Sequence, residues 1–338
     1  MPAATLRVLV TGATGAVGPA VVRAVVEAGH RVRLLVRRVP DDPALAQHER
    51  CIGDLTDAAA VAAAVREVDV VFHLAGLLHV TDPGPELAAE YDRINTIATG
   101  QLIEATRRAG GRRLVLASTT AVYGDTAGGL ATEDTAPAPD TWYARSKLAA
   151  ERLVLEARRD DATPLGTVLR LSAVYGPHLK GNYRRLVLAL ARRRFVPLGA
   201  GLNRRSLMHE RDVGPAFLAA AASPAAAGRV YNVSDGTPHR VREIVDAISD
   251  ALGRSRPRFH VPLGLARTIA GAAEGAFGLI GRRAPITRTA IDKYVEHSAV
   301  DATRLAHELG FVASTDLAEG WRLTIAALRE RGDLPRQP

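Results

Sequence analysis

Leu6-Arg7-Val8-Leu9-Val10-Thr11-Gly12-Ala13-Thr14-Gly15-Ala16-Val17-Gly18 is the stretch that decides the fold. Residues 6–10 form a short aliphatic run that reads as a strand, and residues 16–28 carry the spacing of an amphipathic helix. Three glycines at G-x-x-G-x-x-G spacing join them. Glycines there allow a tight turn and let a pyrophosphate approach backbone amides at the positive end of a helix. The strand–turn–helix context therefore makes Gly12, Thr14, Gly15, Ala16 and Val17 the expected seat of a nicotinamide dinucleotide.

The pattern continues outward. Strands are expected over 32–36, 70–74, 113–117 and 166–170, and helices over 58–68, 87–109 and 142–159. Strands alternating with helices of ten or more residues require crossover connections, hence a parallel sheet covered on both faces. The expected class is α/β, a Rossmann-like doubly wound parallel sheet with a smaller, partly interleaved C-terminal substrate lobe. Residues 1–177 make the NAD(P)-binding domain, with 205–233 returning to it, and 178–204 with 234–338 make the substrate-binding lobe.

Composition narrows the function classes. The chain has 338 residues, 44 Lys and Arg against 36 Asp and Glu, and a net charge of +8. The basic residues are scattered in pairs along helical faces without interleaved aromatics, so no nucleic-acid partner is expected. Cys51 is the single cysteine and the histidines lack ligand spacing, so neither a disulfide nor a metal site is expected. Residues 261–281 are the most apolar long segment, but Arg267 and Glu274 interrupt them, which indicates a core or lid helix and no membrane partner. The N-terminus enters the first strand without a secretory pattern, and a cytoplasmic location is expected.

The end of the second strand bears on cofactor choice. An acidic residue there would hold the ribose hydroxyls of NAD, whereas the chain has Val36 followed by Arg37 and Arg38. This favours NADP(H) over NAD(H), with Arg37 on the 2′-phosphate. Asp54 and Leu55, read as the end of the third strand, are placed to meet the adenine. Leu74, Ala75 and Gly76 after the fourth are small enough to pack against the cofactor.

Tyr143-Ala144-Arg145-Ser146-Lys147 puts a phenol and an ammonium four apart, on one face of a helix. A phenol with a pKa of about 10 is a poor base at neutral pH. A nearby Lys147 and a positive nicotinamide are expected to lower it, so that Tyr143 exchanges a proton with substrate while a hydroxyl from Ser118-Thr119-Thr120 fixes the substrate oxygen.

With these motifs the chain resembles the extended short-chain dehydrogenase/reductase family of NAD(P)-dependent epimerases, dehydratases and reductases. The resemblance includes Ile94-Asn95-Thr96, Ala121-Val122-Tyr123-Gly124, Leu169-Arg170, Val174-Tyr175-Gly176-Pro177, Arg205 to Asp212 and Tyr231-Asn232-Val233. It implies hydride transfer at a secondary alcohol or ketone, possible in a nucleotide sugar, with Thr119, Tyr143 and Lys147 catalytic. It implies that Asn95 holds the cofactor-side architecture or a relay water, that Ser118 supports Thr119, and that Thr119, Thr120 and Arg205 face the substrate. It also implies a homodimer through the helix bearing Tyr143 and the long helix before it. Two departures matter. Thr119-Thr120-Ala121 stands where 4,6-dehydratases have Thr-Asp-Glu, and Ala173 stands where nucleotide-sugar members often have a substrate-contacting Asn. The C-terminal Val261-Pro262-Leu263, Leu309-Gly310-Phe311 and Glu319-Gly320 look more like branches acting on apolar alcohols and ketones, of the hydroxysteroid dehydrogenase kind. A non-catalytic NADP-sensing protein would not need Thr119, Tyr143 and Lys147 together.

Overall fold

Seven aliphatic runs lie side by side as parallel strands in a computed structural model that describes residues 5–78, 84, 86–279, 282, 284 and 287–334. The strands are β1 (Arg7–Thr11), β2 (Arg31–Val36), β3 (Glu49–Ile52), β4 (Val70–His73), β5 (Arg113–Thr119), β6 (Gly166–Leu171) and, after shorter strands, β10 (Val230–Val233). Their order is β3-β2-β1-β4-β5-β6-β10, every pairing parallel. The connecting helices are α1 (Gly18–Glu27), the short α2 (Pro43–Ala46), α3 (Ala58–Ala64), α4 (Glu86–Tyr91), α5 (Ala98–Arg108) and α6 (Trp142–Glu156).

Alternation along each strand sends side chains to two separate cores. Val8, Val10, Val70, Phe72 and Val115 join α1 and α8 (Glu210–Ala222), with Phe72 edge-on to Phe217 at 5.2 Å. Leu9, Val71, Leu114 and Leu116 join α3, α5 and α6 through Val61, Ala64, Leu102, Ala150 and Val154. A sheet buried on both faces explains why the strands read as continuous apolar runs. Each fully buried Val, Leu or Phe stabilises by roughly 1.5–3 kcal/mol.

A third core belongs to the second half of the chain. Beyond β6 come β7 (Ala173–Tyr175), α7 (Gly181–Ala191), β8 (Arg204–Arg205) and β9 (Leu207–His209), and beyond β10 come β11 (His239–Arg240), α9 (Val241–Leu252), α10 (Leu263–Leu279), α11 (Arg288–Val295), α12 (Thr303–Leu309) and α13 (Leu317–Glu330). Val187, Ile244, Ile248, Trp321 and Ile325 pack with Tyr175 and Leu207. The small pairs β7–β9 and β8–β11 link this core to the sheet end. Among the described residues, no helix is long and apolar enough to cross a membrane. The apolar segment 261–281 forms α10, and Ile280 and Gly281 lie outside the described residues.

Several expected boundaries shift. The helix expected from residue 16 begins at Gly18, the helix over 58–68 stops at Ala64, and that over 142–159 stops at Glu156. β3 ends at Ile52, so Asp54 follows the strand and does not end it. The long helix over 87–109 is interrupted by one wide π-helical turn, Asp92–Ile97, which carries Asn95. Such insertions are frequent at functional sites.

One buried ion pair fastens α6 to the sheet. Arg170 on β6 donates to both Glu151 oxygens, at 2.6 Å for the closest contact, with side chains 6% and 1% exposed. Ser118 donates to the same carboxylate. Arg170 also donates to the Tyr123 hydroxyl, which donates to Asn232 on β10, both at 2.8 Å. Truncating one partner strands the other charge in a dry interior. Arg170→Leu is expected to lower the free energy of unfolding by about 3–5 kcal/mol, and Glu151→Leu with Arg170→Leu to recover part of it. Urea titrations check this; a single variant within about 1 kcal/mol of wild type contradicts it.

Candidate active site

The strand order reverses between β1 and β4, and their C-terminal ends part to form a crevice. Gly12 turns the chain there at φ +73°, and a Cβ on it would lie 2.5 Å from the Ala75 nitrogen and 2.7 Å from the Leu74 carbonyl carbon. Gly18 is packed as tightly, its Cβ falling 2.2 Å from the Ala13 carbonyl oxygen. Both glycines are therefore demanded by packing, whatever binds above them. Thr14 is exposed and Gly15, Ala16 and Val17 are half-buried. α1 starts with no side-chain cap and no acidic residue in its first turn; Pro19 has no N–H, which leaves the Gly18 and Ala20 amides uncapped by any side chain at its positive end. Gly12 to Val17 thus fit a dinucleotide pyrophosphate.

At the edge of the same crevice Val36 is buried, while Arg37 and Arg38 are exposed. Asp54 accepts the Thr56 amide and hydroxyl at 2.9 and 2.7 Å, both on Oδ1. These bonds, with the weaker pull of Arg37 and Arg93, hold its carboxyl below the usual range. Leu55 beside it is buried. Leu74, Ala75 and Gly76 follow β4 directly, opposite the glycine turn.

Thr141 caps α6, its hydroxyl accepting the Ala144 amide at 3.1 Å, and this fixes the first turn that carries Tyr143. Thr119 stands beside the Tyr143 phenol, near enough to favour its charged form, and its hydroxyl accepts the Ala121 amide at 3.1 Å. Lys147 lies one turn on, 5% exposed. The protein's own residues work against the acidification expected of Tyr143: the residue is half-buried, and desolvation of the phenol pushes its pKa up to about 12, with Thr119 opposing. Lys147 is pushed down to about 8 by burial, with Glu151 opposing. Burial is the largest cause in both cases and disfavours both charged forms. Ser118 is turned the other way, into the Glu151–Arg170 pair, and so does not join Thr119. Thr120 is buried beside it.

The wide turn brings Asn95 to α6. Its Oδ1 accepts the Leu77 amide at 2.7 Å, and its Nδ2 donates to the Leu77 carbonyl and to Ser146 Oγ at 3.1 and 3.0 Å. Both amide hydrogens are engaged, which fits the architectural role and leaves none for a relay water. Two neighbours had gone unread in the sequence. Tyr91 stands edge-on to Tyr143 at 6.2 Å and donates to the Leu78 carbonyl. His73, fully buried, lies 2.7 Å from Thr11 Oγ1 and 2.9 Å from Thr99 Oγ1. A lone imidazole closing the apolar run Val70-Val71-Phe72 was the available signal for it.

On the lobe side, Arg205 Nη2 donates to the Lys293 and Tyr294 carbonyls at 3.2 and 3.0 Å. Lys293 is ion-paired with Asp140, just before α6, so the α11 end that Arg205 holds is tied to the segment leading into Tyr143. Arg184 instead pairs with Asp333, and Arg184 and Arg185 are surface residues.

The sequence profile of the NAD dependent epimerase/dehydratase family matches residues 8–234. The chain is 31% identical to a dTDP-glucose 4,6-dehydratase of Streptomyces griseus, over 95% of this chain and 94% of that protein. It is 30% identical to a 3 beta-hydroxysteroid dehydrogenase/Delta 5→4-isomerase of Mycobacterium tuberculosis, over 75% and 72%. The solved structure of MoeE5 in complex with UDP-glucuronic acid and NAD superposes with a TM-score of 0.75 at 30% identity, covering 96% of this chain and 99% of that one.

Burial drives the His73 pKa down to about 3, with the Lys147 charge adding to the effect. A histidine ordinarily near 6.5 then binds its proton more readily in the unfolded chain, so its contribution to stability is complete above about pH 6.5 and lost as the pH falls from there toward about 3. The ring is expected to stay neutral from about pH 8 to about pH 5. Ring-nitrogen NMR shifts check this, and a midpoint near 6.5 would show a hydrated imidazole.

Proposed function

The chain belongs to the NAD dependent epimerase/dehydratase family, and from that premise we propose that it is an NAD(P)-dependent oxidoreductase acting at a secondary alcohol or ketone. The observation that carries this reading is the meeting of Tyr143 with Thr119, with Lys147 buried one helical turn away. When bound, the nicotinamide supplies or accepts the hydride. Thr119 and Tyr143 together hold the substrate oxygen. Tyr143 exchanges its proton with that oxygen, and Lys147 stabilises the phenolate once the proton has left. A phenol near 12 stays protonated across the neutral range, which favours Tyr143 as the acid in ketone reduction. Gly12, Thr14, Gly15, Ala16 and Val17 seat the pyrophosphate; Asp54 and Leu55 border the adenine; Leu74, Ala75, Gly76 and Asn95 wall the cofactor side.

Both substrate classes have support. A nucleotide sugar fits the relatives among sugar-nucleotide enzymes and the charge of Arg205. An apolar alcohol or ketone is favoured by Ala173 and by the attachment of Arg205 to two backbone carbonyls, and it fits the steroid dehydrogenase relative. The missing Asp-Glu after Thr119 argues against dehydration. A homodimer through α5 and α6 would cover Ile97, which is 52% exposed on the single chain. A cytoplasmic enzyme is the setting this reading assumes.

Tyr143→Phe is expected to lower turnover by about 10²–10⁴-fold while leaving the dinucleotide Kd within a factor of about two. Steady-state assays with NADPH, on whichever nucleotide sugar or apolar ketone the wild type reduces, test it. Retention of most activity removes Tyr143 from the proton step.

NADP(H) is the preferred cofactor in this reading. Val36 offers no acceptor to the ribose hydroxyls, and exposed Arg37 presents a planar fork suited to a 2′-phosphate. Arg37→Ala is expected to weaken NADP⁺ binding roughly ten- to a hundredfold and to leave NAD⁺ nearly unchanged. Calorimetric titration of both decides; tighter NAD⁺ binding by wild type, with no selective loss in the variant, assigns NAD instead.

A further inference from the structure

His73 sits at the middle of a line of hydrogen bonds that is buried except at its two ends. The Ala75 amide donates to Thr11 Oγ1 at 3.2 Å, and Thr11 lies 2.7 Å from His73 Nδ1. Beyond the ring, Nε2 lies 2.9 Å from Thr99 Oγ1, and Thr99 donates to the Asn95 carbonyl at 2.7 Å. Asn95 donates to Ser146 at 3.0 Å, and Ser146 donates to the Tyr143 carbonyl at 2.9 Å. The single hydroxyl hydrogen of Thr99 is engaged by Asn95, so Thr99 accepts from His73 Nε2–H. His73 Nδ1 then holds a lone pair and accepts the Thr11 hydroxyl, which leaves Thr11 free to accept from Ala75. Each proton in the line has one direction, and only the neutral Nε2–H ring satisfies it.

A residue that merely filled this space would be apolar, because burying an imidazole costs more than burying a leucine. At the far end Thr99 makes the usual bond of a helical threonine to the carbonyl four residues back, and the Asn95 side chain, carried by the π-helical turn, reaches Ser146. We propose that His73 is a positioning residue that ties the end of β1, from which the glycine turn springs, to the turn bearing Asn95, and thereby sets Tyr143 relative to the cofactor seat. The proposal rests on the functional reading above, in which the glycine turn holds the dinucleotide and Tyr143 transfers the proton.

Thr99 touches neither end of the line, and it can lose its hydroxyl with little change of shape, which makes it the place to test. In the full chain, Thr99→Val is expected to bind NAD⁺ and NADP⁺ roughly threefold to tenfold more weakly than wild type, and Thr99→Ser to stay within about twofold. Hydrogen exchange gives a second readout: adding either dinucleotide should slow exchange over residues 142–147 in wild type and Thr99→Ser, and not in Thr99→Val. His73→Leu should follow Thr99→Val. If Thr99→Val does not fold, Ser146→Ala breaks the same line nearer Tyr143, and it should lose the cofactor-dependent protection. Wild-type behaviour of Thr99→Val, or of Ser146→Ala in its place, overturns the proposal; so does equal impairment of Thr99→Ser and Thr99→Val, which would point to volume in place of the hydroxyl. Failure of wild type to bind either dinucleotide would sink the functional reading itself, a separate outcome.

Discussion

The close approach of two backbone turns at the ends of β1 and β4 sets the rest of the structure. Where Gly12 passes within van der Waals reach of Leu74 and Ala75 there is no room for a side chain. The strands can therefore end level with one another and part in opposite directions, β1 into α1 and β4 toward Asn95. That parting makes the crevice, and the amides leading into α1 line one lip of it. Everything assigned to the site is placed by distance from this point: Val36 and Arg37 one strand away on one side, Thr119 one strand away on the other.

Desolvation is the common electrostatic theme around Tyr143. The phenol is held up to about 12, Lys147 down to about 8 and His73 down to about 3. All three shifts favour the neutral form, which is the signature of burial. Behind them Glu151 and Arg170 are paired with each other and hydrogen-bonded to Ser118 and Tyr123. In such surroundings a charge brought in or developed near Tyr143 is poorly screened and acts strongly on its neighbours. Lys147 is poised to respond because its ammonium is only moderately disfavoured.

The second half of the chain is built differently. Its core around Trp321, Ile244 and Ile248 is apolar, but its junction with the site consists of polar links: Arg205 to two carbonyls of the α11 end, Asn203 to the Tyr294 and Glu296 carbonyls, and Lys293 to Asp140. Links of this kind hold the α11 end to β8 and to the segment before α6.

Local features were legible from the residues alone. The alternation of aliphatic runs with long amphipathic segments determined the parallel sheet, because crossover helices leave no other arrangement. The glycine spacing determined a tight turn after β1, and Tyr143 and Lys147 were certain to share a helix face once they lay four apart. What each polar group meets across the fold was decided only by tertiary structure. Ser118 spends its hydroxyl hydrogen on Glu151 while Thr119 faces Tyr143 two turns earlier on the same helix, and adjacency in the sequence misjudged the pair. The break that turns Asn95 toward α6, the burial that raises Tyr143 against the pull expected of Lys147, and the three-way fit of His73 between Thr11 and Thr99 all depend on strand register and helix docking. Those are long-range properties, and no local spacing encodes them.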